Sequence, residues 1–295
     1  MIVTSFAPAK VNLYLHVGAA RADGMHPLDS IAAFAADVGD FVSAAPASTL
    51  TLAVRGPFAA ALQGETDNLV LRAARALAAA AGVEARAALQ LDKQLPVASG
   101  IGGGSSDAAA TLRVLNVLWR VGASDEDLER IATPLGADVP ACVRARTVRM
   151  RGMGQALTPS AAPPFDAVLV NPMAHASTRE VYRTFDAMQL GGALADPGEP
   201  PAQPADALHW LARRGNDLEA PARVVVPAIG DALDLLARAA PDALVRMSGS
   251  GATCFALTLD PDTALAAARA VADARPPWWV RTARLGGVDV APVEA

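Results

Sequence analysis

Between Leu95 and Ala110 the chain reads L-P-V-A-S-G-I-G-G-G-S-S-D-A-A-A, with four glycines in five positions, Gly100 to Gly104. Glycine accepts positive φ and lets the backbone approach a ligand closely, so successive N–H groups can turn inward on an anion. A helix starting there would add partial positive charge at its amino terminus. The chemistry such a segment supports is phosphate binding. It is not a P-loop, which needs a lysine after the last glycine where this chain has Ser105, and Ser105 also occupies the third glycine position of a dinucleotide fingerprint. A flexible Gly/Ser linker is the plain alternative, but Pro96 and the apolar segment that follows mark ordered structure.

Other residues have both a plain and a chemical reading. Lys10, after Pro8 beside a strand, would by itself be a solvated charge; Asp138, in L-G-A-D-V-P, could cap a helix or sit in a turn. His26 stands in R-A-D-G-M-H-P, where Asp23, Gly24 and Pro27 fix the backbone, and a lone histidine there is commonly a structural hydrogen-bonder. Tyr182 could simply pack in a core, and Asp67 and Asn68 could simply cap the helix that follows them. His16, His175 and His209 show no metal-ligand spacing, and Cys142 and Cys254 have no C-x-x-C partner.

Three segments in order, A-P-A-K-V-N-L-Y-L at 7–15, P-V-A-S-G-I-G-G-G-S-S-D-A-A at 96–109 and M-S-G-S-G-A-T-C-F at 247–255, resemble the motifs of the GHMP kinases. R-A-D-G-M-H-P-L at 21–28, G-G-G-S-S-D-A-A at 102–109 and G-A-D-V-P at 136–140 are similar to one branch, which acts on a cytidyl diphosphate-linked methylerythritol. The resemblance, covering about residues 7–256, implies an α+β fold of two domains. Residues 1–152 would form a ribosomal-protein-S5-like, ATP-binding domain and residues 153–295 a ferredoxin-like, substrate-binding domain. It implies ATP with Mg2+ as donor, and Lys10 and Asp138 as the catalytic pair. Pro96, Val97, Ala98, Ser99, Gly100, Ile101, Gly102, Gly103, Gly104, Ser105 and Ser106 would hold the phosphates, with Asn68 and Lys93 (and the T-D-N-L-V segment, 66–70) lining the adenine pocket. Asn12, Met25, His26 and Tyr182 would contact the acceptor substrate, His26 reading the cytosine edge and Tyr182 and Met25 covering its faces. The family places an aromatic residue where this chain has Met25, and a thioether covers a base face through dispersion and sulfur-aromatic contact worth about 0.3–1.5 kcal/mol. Magnesium ligands stay open, with Ser106 one candidate at the loop-helix junction.

The elements that must position these residues are partly legible. Alternation predicts strands at 11–17, 49–54 and 87–92. Apolar positions at helical spacing predict a helix from Asn68 to Ala81 stopped by Gly82, one over 106–119 capped by Ser105, Ser106 or Asp107, and a short one over 125–134. Further on, helices are expected at 224–240 and 261–274 and the end of a strand at 256–258, with connections at 158–165 and 191–204. Strands and helices do not alternate regularly after the first hundred residues, which favours α+β over a doubly wound parallel sheet.

Composition narrows the class further. The chain has 295 residues, of which 52% are hydrophobic, 19% charged and 68 alanine, with 25 Lys+Arg against 30 Asp+Glu. That excludes disorder as the main state, and without a basic stripe it argues against nucleic-acid binding. No apolar run reaches a membrane span, no secretory leader is legible at the amino terminus, and only two cysteines occur, so a reducing, cytoplasmic setting is expected.

Overall fold

A computed structural model describes residues 1–65 and 67–294; Thr66, at the start of T-D-N-L-V, and Ala295 lie outside the described residues. The first half runs β1 (Val3–Val17), β2 (Leu28–Ala45), β3 (Leu50–Arg55), α1 (Leu69–Ala81), β4 (Ala87–Asp92), α2 (Gly103–Leu118), α3 (Asp125–Ala132), α4 (Val139–Arg144), β5 (Val148–Gly152) and β6 (Ala156–Pro159). The second runs β7 (Phe165–Asn171), α5 (Thr178–Ala187), α6 (Pro204–Ala212), α7 (Glu219–Val225), α8 (Ala228–Ala239), β8 (Leu244–Met247), β9 (Cys254–Thr258), α9 (Pro261–Ala274), β10 (Trp279–Gly286) and β11 (Val293–Glu294).

All the strands join in one sheet, whose main path is β11-β1-β2-β10-β7-β9-β8. Its hub is β2, which pairs antiparallel with β1 along most of its length, with β5 through Leu28–Ala32, with β4 through Phe41–Ala45 and with β10 at Phe34 and Ala35. Because the middle of the hub is paired on both edges and covered on both faces, it carries the continuous apolar run I-A-A-F-A, 31–35, instead of an alternation. One apolar core lies between the first-half strands and α1–α4, and a second packs α5, α7, α8 and α9 on β7 and β9. A third joins the halves, bringing Tyr14, Ile31, Phe165, Phe255 and Leu285 together with Trp210 of α6.

Local chemistry sets the ends of the helices. Asn68 accepts from the Val70 N–H at 2.9 Å and opens α1, which buries Val70, Ala73, Ala74, Leu77 and Ala78 and ends at Gly82. Ser124 and Asp127 form a capping box on α3, and Asp260 accepts from Thr263 to start α9 at Pro261. Two expectations need correction. The single helix over 224–240 is two, because Pro227 lacks an N–H and cannot continue α7, so α8 starts afresh at Ala228. The helix expected from 106 begins at Gly103, capped by left-handed Gly102 and by none of the polar side chains after it. The position after residue 152, expected as the domain junction, falls in the turn between β5 and β6, which pair antiparallel.

Candidate functional site

The glycine segment forms the loop between β4 and α2 and feeds straight into α2. Gly100 and Gly102 adopt φ of +77° and +64°, and no side chain caps the helix. The first N–H groups of α2, at Gly103, Gly104 and Ser105, are therefore left pointing out of the helix end, free to bind an anion. The loop is clamped from below. The Lys10 N–H donates to the Ile101 carbonyl at 2.9 Å, the Thr253 N–H to the Ser99 carbonyl at 3.0 Å, and the Ser248 hydroxyl to the Gly100 carbonyl at 3.0 Å. Ser248 also accepts from the Asn12 N–H at 3.1 Å, so one buried hydroxyl ties all three glycine- or lysine-bearing motifs together.

Beside the loop, β1 projects Lys10 and the turn before α4 presents Asp138. Lys10 Nζ donates to Asp138 Oδ2 at 2.8 Å, although 128 residues separate them. The lysine side chain is 3% exposed and the carboxylate 37%, so the pair sits at the edge of the cleft with one carboxylate oxygen open to it. Asp138 stands at the cap position of α4 but makes no side-chain cap hydrogen bond, which leaves it free for this pairing. The Cys142 thiol lies behind the pair, pushed up to about 12 by burial, and is inert there.

The cleft of about 480 Å³ is bordered by Lys10, Asn12, Asn68, Lys93, Asp138, Tyr182 and the loop from Pro96 to Ser105, excepting Ile101. Ile101 points into the core, and the Ser106 hydroxyl donates to the Pro8 carbonyl at 2.6 Å, so Ser106 is structural and turned away from the cleft. Lys93 is buried and held between Asp40 at 2.6 Å and Asp107 at 2.7 Å. Burial raises the Asp107 carboxyl to about 8, Lys93 beside it offsetting only part of the rise. Asp40 also accepts from the Gln94 and Leu95 N–H groups, so this ion cluster fastens the end of β4 and the start of α2 to β2.

At the far end His26 is boxed. Its Nδ1 lies 2.9 Å from the Gly18 carbonyl, its Nε2 3.3 Å from Asp186 Oδ1, and the rings of Tyr182 and Phe185 pack on it at 5.3 and 5.5 Å. Tyr182 borders the cleft, whereas His26 and Met25 are outside its lining, Met25 being 55% exposed. Residues that sequence reasoning passed over include Asp107, Ser248, Gly249, Ser250, Phe185 and Asp186. Ser248 to Ser250 lay within a recognised glycine segment, and Phe185 stands one turn beyond Tyr182 on the same helix face.

Comparison with known proteins gives one answer. Residues 68–146 match the GHMP kinases N terminal domain and residues 201–276 the GHMP kinases C terminal domain. The chain is 50% identical over 287 residues to 4-diphosphocytidyl-2-C-methyl-D-erythritol kinase of Parvibaculum lavamentivorans, covering 97% of this chain and 99% of that one. The enzyme of the same name from Paramagnetospirillum magneticum is 46% identical over 288 residues, 96% of this chain and 99% of its own. A crystal structure of 4-(cytidine 5'-diphospho)-2C-methyl-D-erythritol kinase superposes with a TM-score of 0.76 at 35% identity, covering 96% of this chain and 99% of that chain. Homoserine kinase from Cytophaga hutchinsonii shares the fold, with a TM-score of 0.74 at 17% identity over 99% of this chain and 96% of its own.

Proposed function

The chain belongs to the 4-diphosphocytidyl-2-C-methyl-D-erythritol kinases within the GHMP kinases, and we propose that it transfers the γ-phosphoryl of ATP to the 2-hydroxyl of 4-diphosphocytidyl-2-C-methyl-D-erythritol, giving the 2-phosphate and ADP. That step belongs to non-mevalonate isoprenoid precursor synthesis. The observation that carries the reading is the Lys10–Asp138 pair set at the edge of an uncapped glycine loop.

In this reading the acceptor hydroxyl lies between the two side chains. Asp138 takes its proton as the oxygen attacks, and the Lys10 ammonium offsets negative charge gathering on the transferring phosphoryl oxygens. The N–H groups of Gly103 to Ser105 hold the phosphates in line, at the positive end of α2. Mg2+ suits an oxygen donor set that includes the nucleotide, and Ser105, which lines the cleft while the hydroxyl of Ser106 is spent on Pro8, would hold it. Bound there, the ion would neutralise β- and γ-phosphate charge. Asn68 and Lys93 line the adenine side, and Lys93 acts there as part of an ion cluster. Asn12 orients the acceptor, while Tyr182 and Met25 cover the cytosine and His26 meets its edge. We place the protein in the cytoplasm, with a small molecule as its acceptor and no nucleic acid or membrane partner.

The test supplies purified protein, ATP and Mg2+ with the cytidyl compound, homoserine and mevalonate in parallel and reads ADP release. Turnover with the cytidyl compound alone, lost on chelating the metal, is expected. Turnover with homoserine or mevalonate instead would overturn the substrate assignment.

A further inference from the structure

We propose that Ser30 is a positioning residue for the phosphoryl transfer, which turns the Asn12 carboxamide so that its carbonyl oxygen, and not its amide, meets the acceptor. This rests on the preceding reading, in which Asn12 orients the acceptor.

Behind the cleft wall, the Ser30 hydroxyl on β2 is fully buried and lies 2.5 Å from the Tyr14 carbonyl oxygen of β1. A carbonyl only accepts, so the one hydroxyl hydrogen is committed to it and Ser30 Oγ keeps only lone pairs for other partners. The Asn12 side-chain atom 2.8 Å from that oxygen is therefore the donor, Nδ2. A half-turn of the carboxamide would set two acceptors against each other at Ser30 and leave both without a hydrogen.

Oδ1 is thereby turned toward the cleft. Asn12 is buried yet borders the cleft, no donor among the described residues reaches Oδ1, and a Cβ on Gly249, also in the lining, would lie 3.5 Å from it. Asn12 stands two residues beyond Lys10 where β1 keeps a regular register on β2, so the two side chains share a face. Asp138, paired with Lys10, takes the hydrogen of the reacting hydroxyl in the reading above, and that hydroxyl has only one. The Asn12 oxygen is left to accept from a neighbouring hydroxyl of the same acceptor, which makes a polyol the chemistry that uses both groups. Only the side chain depends on Ser30: the Asn12 N–H donates separately to Ser248 at 3.1 Å, so the clamp beneath the phosphate loop does not pass through Ser30.

The experiment measures kcat and KM for the cytidyl compound and for MgATP in wild type, Ser30→Ala and Ser30→Thr, which keeps the hydroxyl, with circular dichroism to show that each is folded. Ser30→Ala should lower kcat/KM for the acceptor about three- to tenfold, the worth of one hydrogen bond, and leave KM for MgATP within about twofold, while Ser30→Thr restores most of the loss. Acceptor analogues lacking the hydroxyl at carbon 1 or at carbon 3 locate the partner: with one of them, the loss seen in wild type should largely vanish in Ser30→Ala. An unchanged acceptor kcat/KM in Ser30→Ala, a rise in KM for MgATP as large as the acceptor effect, or the same loss with each analogue in wild type and variant overturns the inference and leaves the kinase reading intact. A wild type inactive on the cytidyl compound would overturn that reading and this inference with it.

Discussion

Asp138 illustrates how the role proposed for a residue can rest on what it does not do. Its place at the start of α4 suits a cap, and only the absence of a cap hydrogen bond and the 2.8 Å contact with Lys10 separate the two readings. The local sequence around Lys10 gave no such resolution, since a lysine on a strand beside a proline is commonly solvated; here it is buried. The role proposed for it comes from the resemblance, while the contact itself depends on packing across 128 residues. The same holds for His26, whose two nitrogens are engaged by Gly18 and by a helix the local motif does not contain. At this scale, replacing Tyr182 by alanine should raise KM for the cytidyl compound about two- to tenfold, the worth of an aromatic pair, with kcat retained. Steady-state kinetics checks it, and an unchanged KM counts against Tyr182 as a base contact.

The elements carry their own predictions. A Cβ on Gly100 would lie 2.5 Å from the Ser248 carbonyl oxygen and 2.6 Å from that of Gly251, on a backbone at φ +77°. Gly100→Ala should therefore raise KM for ATP at least about tenfold and lower the unfolding free energy by more than about 1 kcal/mol, read by kinetics and urea denaturation. At the start of α2 burial holds the Asp107 carboxyl well above its unfolded value of about 3.9, with the Lys93 ammonium beside it offsetting part of the rise. The folded state thus holds a proton that the unfolded chain releases, so this group's contribution to stability is full below about pH 4 and is lost as pH rises above that. Asp107→Asn should flatten that decline in urea titrations between pH 5 and 8; an equally steep decline in the variant would contradict it. Elements with a local signal were legible: β4, α1 with its cap and glycine stop, and α9. The 18-residue β2 was not, because a strand buried on both faces loses its alternation, and the break at Pro227 was hidden by alanine-rich sequence helical on either side.

Across the whole molecule, β2 meets β10, Ser248 meets Gly100 and the third core spans both halves, so the loop and the segments that clamp it come from opposite ends of the chain. The mixed α+β class was legible from irregular alternation, but the shared sheet was not, since pairings between residues 34–35 and 285–286 leave no local trace. Because the nucleotide would brace both halves, MgATP at about 100 times its Kd should stabilise the fold by about 2.7 kcal/mol, raising Tm by several degrees in wild type and much less in Gly100→Ala. Differential scanning fluorimetry reads both. The most direct test of the Lys10–Asp138 assignment is the turnover number of a folded Asp138→Ala variant on the cytidyl compound with saturating MgATP. A fall of about 10²- to 10⁴-fold, with the circular dichroism spectrum and MgATP-induced Tm shift of wild type, is the predicted result. Turnover close to wild type would contradict the claim that this pair carries the phosphoryl transfer.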